Sequence, residues 1–186
     1  MKSEAGTSDA RVVASYCATF LKPEMLHIYR QITSLRRVRP VVIAQKRENT
    51  DRFPFQDIRV VNKLRLHFLR RIWFKQITNR PWKISASEVR AIERVLDEVE
   101  AQLLHIYFGQ IAVLLHPLIW QWRKPTIVSF HGADVVVDMQ KPSYRKATEE
   151  MLTLVKRVLV RSESLKRAVI ELGCASQKIE IQRTGI

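Results

Sequence analysis

A parallel β-sheet with helices on both faces is the α/β fold that these 186 residues predict, and three observations carry it. Short apolar runs rich in Val, Ile and Leu alternate along the chain with segments whose apolar residues recur every three or four positions, the mark of strands separated by helices. The strand runs are apolar at successive positions, as strands buried on both faces must be. Polar residues and glycines gather just past several of these runs, where the loops of such a sheet carry ligands.

The elements follow in order. After a polar start over residues 1–10, read as disordered, "RVVASYCATF" (11–20) is the first strand. Pro23, suited to the first turn of a helix, opens a segment in which Met25, Leu26, Ile28, Tyr29, Ile32 and Leu35 share one face. "PVVIAQ" (40–45) is a buried strand and "FQDIRVV" (55–61) a weaker one. Two helices are expected next, over 63–77 and 85–101, the second opened by a capping box in which Ser85 or Ser87 caps and Glu88 answers. "LLHIYFG" (103–109) is a strand, "QIAVLLHPLIWQW" (110–122) a helix kinked at Pro117, and "PTIVSFHG" (125–132) a strand. The alternation ends with a helix over 143–156, the strand "RVLVRS" (157–162), a helix over 162–173 closed by a glycine cap, and the strand "KIEIQ" (178–182). The whole is a doubly wound, Rossmann-like domain over residues 11–186 with a mostly parallel sheet.

Composition is globular, with 46% hydrophobic and 27% charged residues, and the length suits one domain or one domain and part of another. The net charge of +14 asks for an anionic neighbour: a phosphorylated ligand, an acidic membrane surface or nucleic acid. Cys17 and Cys174 are too few for a disulfide framework or a cysteine zinc site and read as thiols of a cytoplasmic protein. The longest apolar stretch, "IAVLLHPLIW" (111–120), is far shorter than a bilayer span.

Strand exits concentrate the chemistry. His131, Gly132 and Asp134 follow "TIVSF", placing an imidazole, a permissive backbone and a carboxylate where an open α/β sheet binds ligands. Loop satisfaction alone would explain the same residues. His105 and Tyr107 share one face of their strand, with Gly109 at its exit; a buried, hydrogen-bonded histidine is the plainer explanation of His105. No G-x-G-x-x-G follows the first strand, and phosphate-loop, H-E-x-x-H and G-x-S-x-G patterns are absent, which disfavours dehydrogenases, nucleoside triphosphatases, zinc proteases and serine hydrolases.

"LLHIYFGQIAVLL" (103–115), "KPTIVSFHGADV" (124–135) and "VLVRSESLKRAVIELGCASQKIEIQRTGI" (158–186) together resemble the amino-terminal domain of family 4 glycosyltransferases of the GT-B fold. "FLKPEMLHIYRQITSL" (20–35) is similar to the subgroup that builds exopolysaccharides of the colanic-acid type. The resemblance implies one half of a GT-B architecture and a retaining transfer of sugar from a nucleotide-sugar to a glycan or lipid-linked acceptor, with no cofactor and no metal ion. It implies that His131 is the active-site histidine of the cleft, that Gly132 allows close approach and that Asp134 supports the loop, with His105, Tyr107 and Gly109 beside them. Two departures accompany it. The loop after the first strand, "ATFLKPE", lacks the Gly-Gly pair of many members, and the chain stops at "RTGI", where a complete member continues into a donor-binding domain. These 186 residues are therefore expected to lack the carboxy-terminal partner domain and to be inactive alone.

The basic residues have a second reading. Between Arg59 and Lys83 stand eight cations and no acid, and on the expected helix over 63–77 Arg70, Arg71 and Lys75 lie opposite an apolar face while Phe74 projects among them. A core-packed helix with a solvated basic face accounts for this; so does docking on the anionic inner face of the plasma membrane, useful for a lipid-linked acceptor. A non-catalytic basic α/β module for membrane or nucleic acid is the competing class, with nucleic acid disfavoured because no recognised nucleic-acid motif occurs.

Overall fold

In the computed structural model, which describes residues 10–61, 72, 74, 80–136 and 140–183, seven parallel strands form one sheet. They are β1 (Val12–Phe20), β2 (Arg39–Arg47), β3 (Ile58–Val60), β4 (Leu103–Tyr107), β5 (Thr126–Ser129), β6 (Arg157–Val160) and β7 (Ile179–Ile181), in the spatial order β3-β2-β1-β4-β5-β6-β7. The helices are α1 (Leu26–Thr33), α2 (Ala86–Glu98), α3 (Gly109–Leu114), α4 (His116–Gln121), α5 (Ala133–Val136), α6 (Pro142–Leu154) and α7 (Glu163–Glu171). The direction of winding reverses between β1 and β4, so a crevice opens beyond their carboxyl ends.

Strand alternation builds two cores. Val41 and Ile43 of β2 join Tyr16, Leu104, Ile106 and Val128 in a cluster with Ile92 and Leu96 of α2, Leu118 of α4 and Met151 of α6. Val42 and Ala44 point to the opposite face, where they meet Cys17, Tyr107, Phe53 and the α1 residues Ile28 and Ile32. The sheet is thus buried on both faces, which is why its strands are apolar at successive positions.

The expected strands are present, with corrected limits. The strand expected over 103–109 ends at Tyr107 because Phe108 turns to φ 75°, outside the β region. That expected over 125–132 ends at Ser129; beyond Phe130 the backbone amides turn to the Asp134 carboxylate. The weak strand over 55–61 shrinks to Ile58–Val60 at the sheet edge. The kinked helix is two helices: Pro117 has no N–H to give to Val113, the chain breaks at Leu115, and the Leu114 carbonyl accepts the Ile84 N–H instead at 3.1 Å. The short α5 was not expected. Ser85 is the cap of α2, its hydroxyl accepting from the Glu88 N–H while the Glu88 carboxylate accepts from the Ser85 N–H at 2.8 Å. Gly173, at φ 85°, closes α7 with Gly173 N–H on Ile170 O and Cys174 N–H on Val169 O.

Of the helix expected over 63–77, Arg70, Arg71 and Lys75 lie outside the described residues, as do residues 1–9 and 184–186. Phe74 is half-buried and lines a cavity with Arg80, Lys83, Lys146 and Glu150. Among the described residues no helix is long and apolar enough to cross a membrane.

Candidate functional site

The site is built where β4 and β5 end side by side. Phe108 N–H donates to Ser129 O at 2.9 Å, which ties the two exits together. Immediately beyond, the buried carboxylate of Asp134 gathers three backbone amides: His131 N–H at 2.9 Å and Gly132 N–H at 2.8 Å on one oxygen, and Gly109 N–H at 2.9 Å on the other. One side chain therefore fixes the two loops that form the cleft floor, because a carboxylate has lone pairs enough for all three donors.

The two glycines answer different demands. A Cβ on Gly109 would stand 2.1 Å from the Phe130 ring, so its lack of side chain lets β5 pack against the start of α3. Gly132 has φ 118°, a region that side chains disfavour, and a Cβ there would meet nothing within 4 Å. Gly132 is the backbone that stands open to the cleft.

Below the floor runs a buried polar and aromatic stack. His105 Nε2 and Ser129 Oγ are 2.6 Å apart, and the His105 ring stacks on Tyr107 at 4.1 Å. Both are almost wholly enclosed, His105 at 7% and Tyr107 at 2% exposure, so they support the floor from beneath. Burial lowers the His105 pKa to about 3 and raises that of the Tyr107 phenol, leaving both neutral.

His131 sits on top of this stack. Its ring centroid is 4.7 Å from Phe108, 5.1 Å from His27 and 6.1 Å from Tyr107. Both ring nitrogens are buried and, among the described residues, without a hydrogen-bond partner. Burial first, then the charge of Arg161 and the neighbouring imidazoles of His27 and His105, lower its pKa to about 3, so the ring is neutral at pH 7 and offers one donor and one acceptor. Phe108 holds its ring over His131 from a positive φ, a conformation that costs energy in a non-glycine residue and is kept by the surrounding contacts.

The structure thus brings His131, Gly132, Asp134 and Gly109 into one loop system and sets His105 and Tyr107 under it. Three neighbours were not expected from sequence: His27 and Gln31 on α1, and Arg161 at the exit of β6. The four-residue spacing of His27 and Gln31 on a helix, and the placing of Arg161 directly after "VLV", were the signals available.

The family model described as Glycosyltransferase Family 4 matches residues 25–186 of the chain. No curated protein sequence matches it significantly. Among solved structures, Anabaena HepE in complex with UDP-glucose is similar at a TM-score of 0.65 and 13% identity, covering 94% of this chain and 44% of that one. The lipopolysaccharide outer core galactosyltransferase WaaB is similar at 0.60 and 11% identity, over 94% of this chain and 46% of its own. UDP-N-acetylglucosamine 2-epimerase from Rickettsia bellii gives 0.57 and 11% identity, over 95% and 45%. The chain spans less than half the length of each, and at these identities the likeness is one of fold.

Proposed function

Because the chain belongs to glycosyltransferase family 4, we propose that it is the acceptor-binding half of a retaining glycosyltransferase, moving a sugar from a nucleotide-sugar to a glycan or lipid-linked acceptor in polysaccharide assembly. The observation that carries the reading is His131: a neutral imidazole whose two ring nitrogens have no partner among the described residues, at the exit of β5, next to the strand pair β1 and β4 where the winding switches. It is supported by the fold shared with HepE, whose structures hold UDP and UDP-glucose, and with WaaB.

In this reading a hydroxyl of the transferring sugar or of the acceptor hydrogen-bonds to one ring nitrogen of His131, accepting from it if it carries the proton and donating to it if it does not. Gly132 lets that hydroxyl approach the backbone, and Asp134 keeps the loop from shifting as the cleft fills. In this reading the nucleotide is held by a donor-binding domain that closes over this one.

The test is a transfer assay on a protein carrying this domain with a donor-binding domain, supplied with labelled UDP-sugars and lipid-linked acceptor. A charge-neutral hydrogen bond lost in the transition state is worth about 0.5–1.5 kcal/mol, a severalfold to roughly tenfold change in rate. His131→Ala is expected to lower kcat by that factor, with the product keeping the anomeric configuration of the donor sugar. Unchanged turnover in the variant, or an inverted product, contradicts the reading.

A further inference from the structure

A second cavity, of about 370 Å³, lies apart from His131 on the face of the sheet covered by α2, α4 and α6. Its size is that of a small-ligand pocket, about 300–1,000 Å³. Two stretches far apart in sequence wall it. Arg80, Pro81 and Lys83 come from the segment before α2, and Ser143, Lys146 and Glu150 share one face of α6 by their spacing of three and four. The first segment is pinned: Ile84 N–H donates to Leu114 O at the end of α3, and Arg80 N–H donates to Phe74 O, each at 3.1 Å. Both α2 and α6 run from the carboxyl ends of the strands back to the start of the next one. The cavity, at their first turns, therefore stands at the same end of the sheet as the His131 cleft.

Its lining is mixed. Arg80, Lys83 and Lys146 bring three cations, Glu150 one carboxylate. Among the described residues none of these cations makes an ion pair, although on the same helix Arg145 pairs with Glu149 at 3.0 Å. A single exposed cation is satisfied by water, but three that converge on one concave space raise its potential and draw an anion in. Lys83 and Glu150 also act on His116 at the start of α4; burial and Lys83 hold that imidazole toward its neutral form, so it adds no charge. A bare oxyanion would use the cations and find Glu150 opposing it. A bilayer would meet projecting apolar groups, whereas Phe74 is half-buried and Pro81 buried in the wall. An acidic sugar suits the whole lining. Its carboxylate matches the cations, the Arg80 fork above all, its hydroxyls donate to Glu150, and its ring face lies on Phe74 and Pro81.

We propose that this cavity is a subsite for an acidic sugar of the acceptor, in which Arg80, Lys83 and Lys146 hold the carboxylate of a uronic acid residue. The subsite rests on the reading of this half as acceptor-binding, but its readout is binding rather than transfer, so either can fail while the other holds.

The probe is methyl glucuronide, with methyl glucoside as the same ring without the charge, each followed by saturation-transfer NMR from the 186-residue chain at constant ionic strength. Methyl glucuronide is expected to receive saturation and methyl glucoside little. Acetate, a carboxylate without the ring, is expected to leave the signal in place, which separates a built site from the diffuse attraction of a chain of net charge +14. Arg80→Gln weakens the apparent affinity about tenfold, whereas Arg37→Gln, which removes the same charge at another exposed position, leaves it unchanged. Lys146→Gln, also exposed, serves as the second variant if the near-ultraviolet spectrum shows that Arg80→Gln has lost its fold. Equal saturation of the two glycosides, displacement by acetate, or equal weakening by Arg80→Gln and Arg37→Gln overturns the subsite. Retention on phosphatidylglycerol vesicles that Arg80→Gln abolishes, with no saturation of methyl glucuronide, overturns it in favour of a membrane surface. Tighter binding of UDP-glucuronic acid than of methyl glucuronide overturns its assignment to the acceptor.

Discussion

Asp134 does the work of three partners. Its carboxylate accepts from amides at positions 109, 131 and 132, and it is only 3% exposed. Asn at this position turns an amide NH2 toward at least one of those N–H groups, leaving a buried donor unpaired at about 1–3 kcal/mol. Asp134→Asn should therefore lower the urea midpoint by an amount of that order, while a midpoint equal to that of the unaltered chain would mean that the loops hold without it. His105 yields a pH prediction. Its folded pKa, near 3, lies below its ordinary 6.5, so between these values the unfolded chain binds a proton that the folded chain refuses. Its contribution to stability is present above pH 6.5 and is lost as pH falls toward 3, at about 1.4 kcal/mol per pH unit. Denaturation midpoints measured from pH 7 to pH 4 should fall more gently for His105→Gln than for the unaltered chain; equal slopes would contradict the burial argument. The grouping of His131, Gly132 and Asp134 at a strand exit was legible in the sequence. The grip of Asp134 on Gly109 was not, because it joins residues 25 apart through a contact that local pattern does not encode.

At the scale of elements, the join between β4 and α3 is the tightest point near the site. Gly109→Ala drives a Cβ into the Phe130 ring, and overpacking of this kind costs about 1–3 kcal/mol. Thermal unfolding should drop by several degrees, and Phe130→Leu in the same chain should recover part of the loss; an unchanged transition in Gly109→Ala would show that the ring simply moves aside. Strand positions were readable because a strand buried on both faces leaves a continuous apolar run, as Val41 to Ala44 does. Strand ends were less so: β4 and β5 stop where Phe108 changes φ and where Asp134 captures amides, and neither event leaves a mark on hydropathy. Pro117 announced a disruption, but whether the helix bends or breaks depended on Ile84 being placed to donate its N–H to the Leu114 carbonyl.

At the scale of the molecule, the described residues form a seven-stranded parallel sheet whose winding reverses between β1 and β4, and its polar groups converge on the side where that reversal opens a cleft. This much follows from alternation and from the residues at strand exits, and the family is carried by "HIYFG", "HGAD" and the closing strand read together. The cluster of His27, His131 and Arg161 was invisible at that level, because residues 104 and 30 positions apart from His131 meet it only once the sheet is ordered. The central claim is that this half binds the acceptor. Saturation-transfer NMR on the 186-residue chain, with a lipid-linked oligosaccharide acceptor and UDP-glucose presented separately, tests it most directly. Saturation is expected to pass to the acceptor and to be lost in His131→Ala, with UDP-glucose receiving little. Saturation of UDP-glucose but not of the acceptor, or an acceptor signal indifferent to His131, would contradict it.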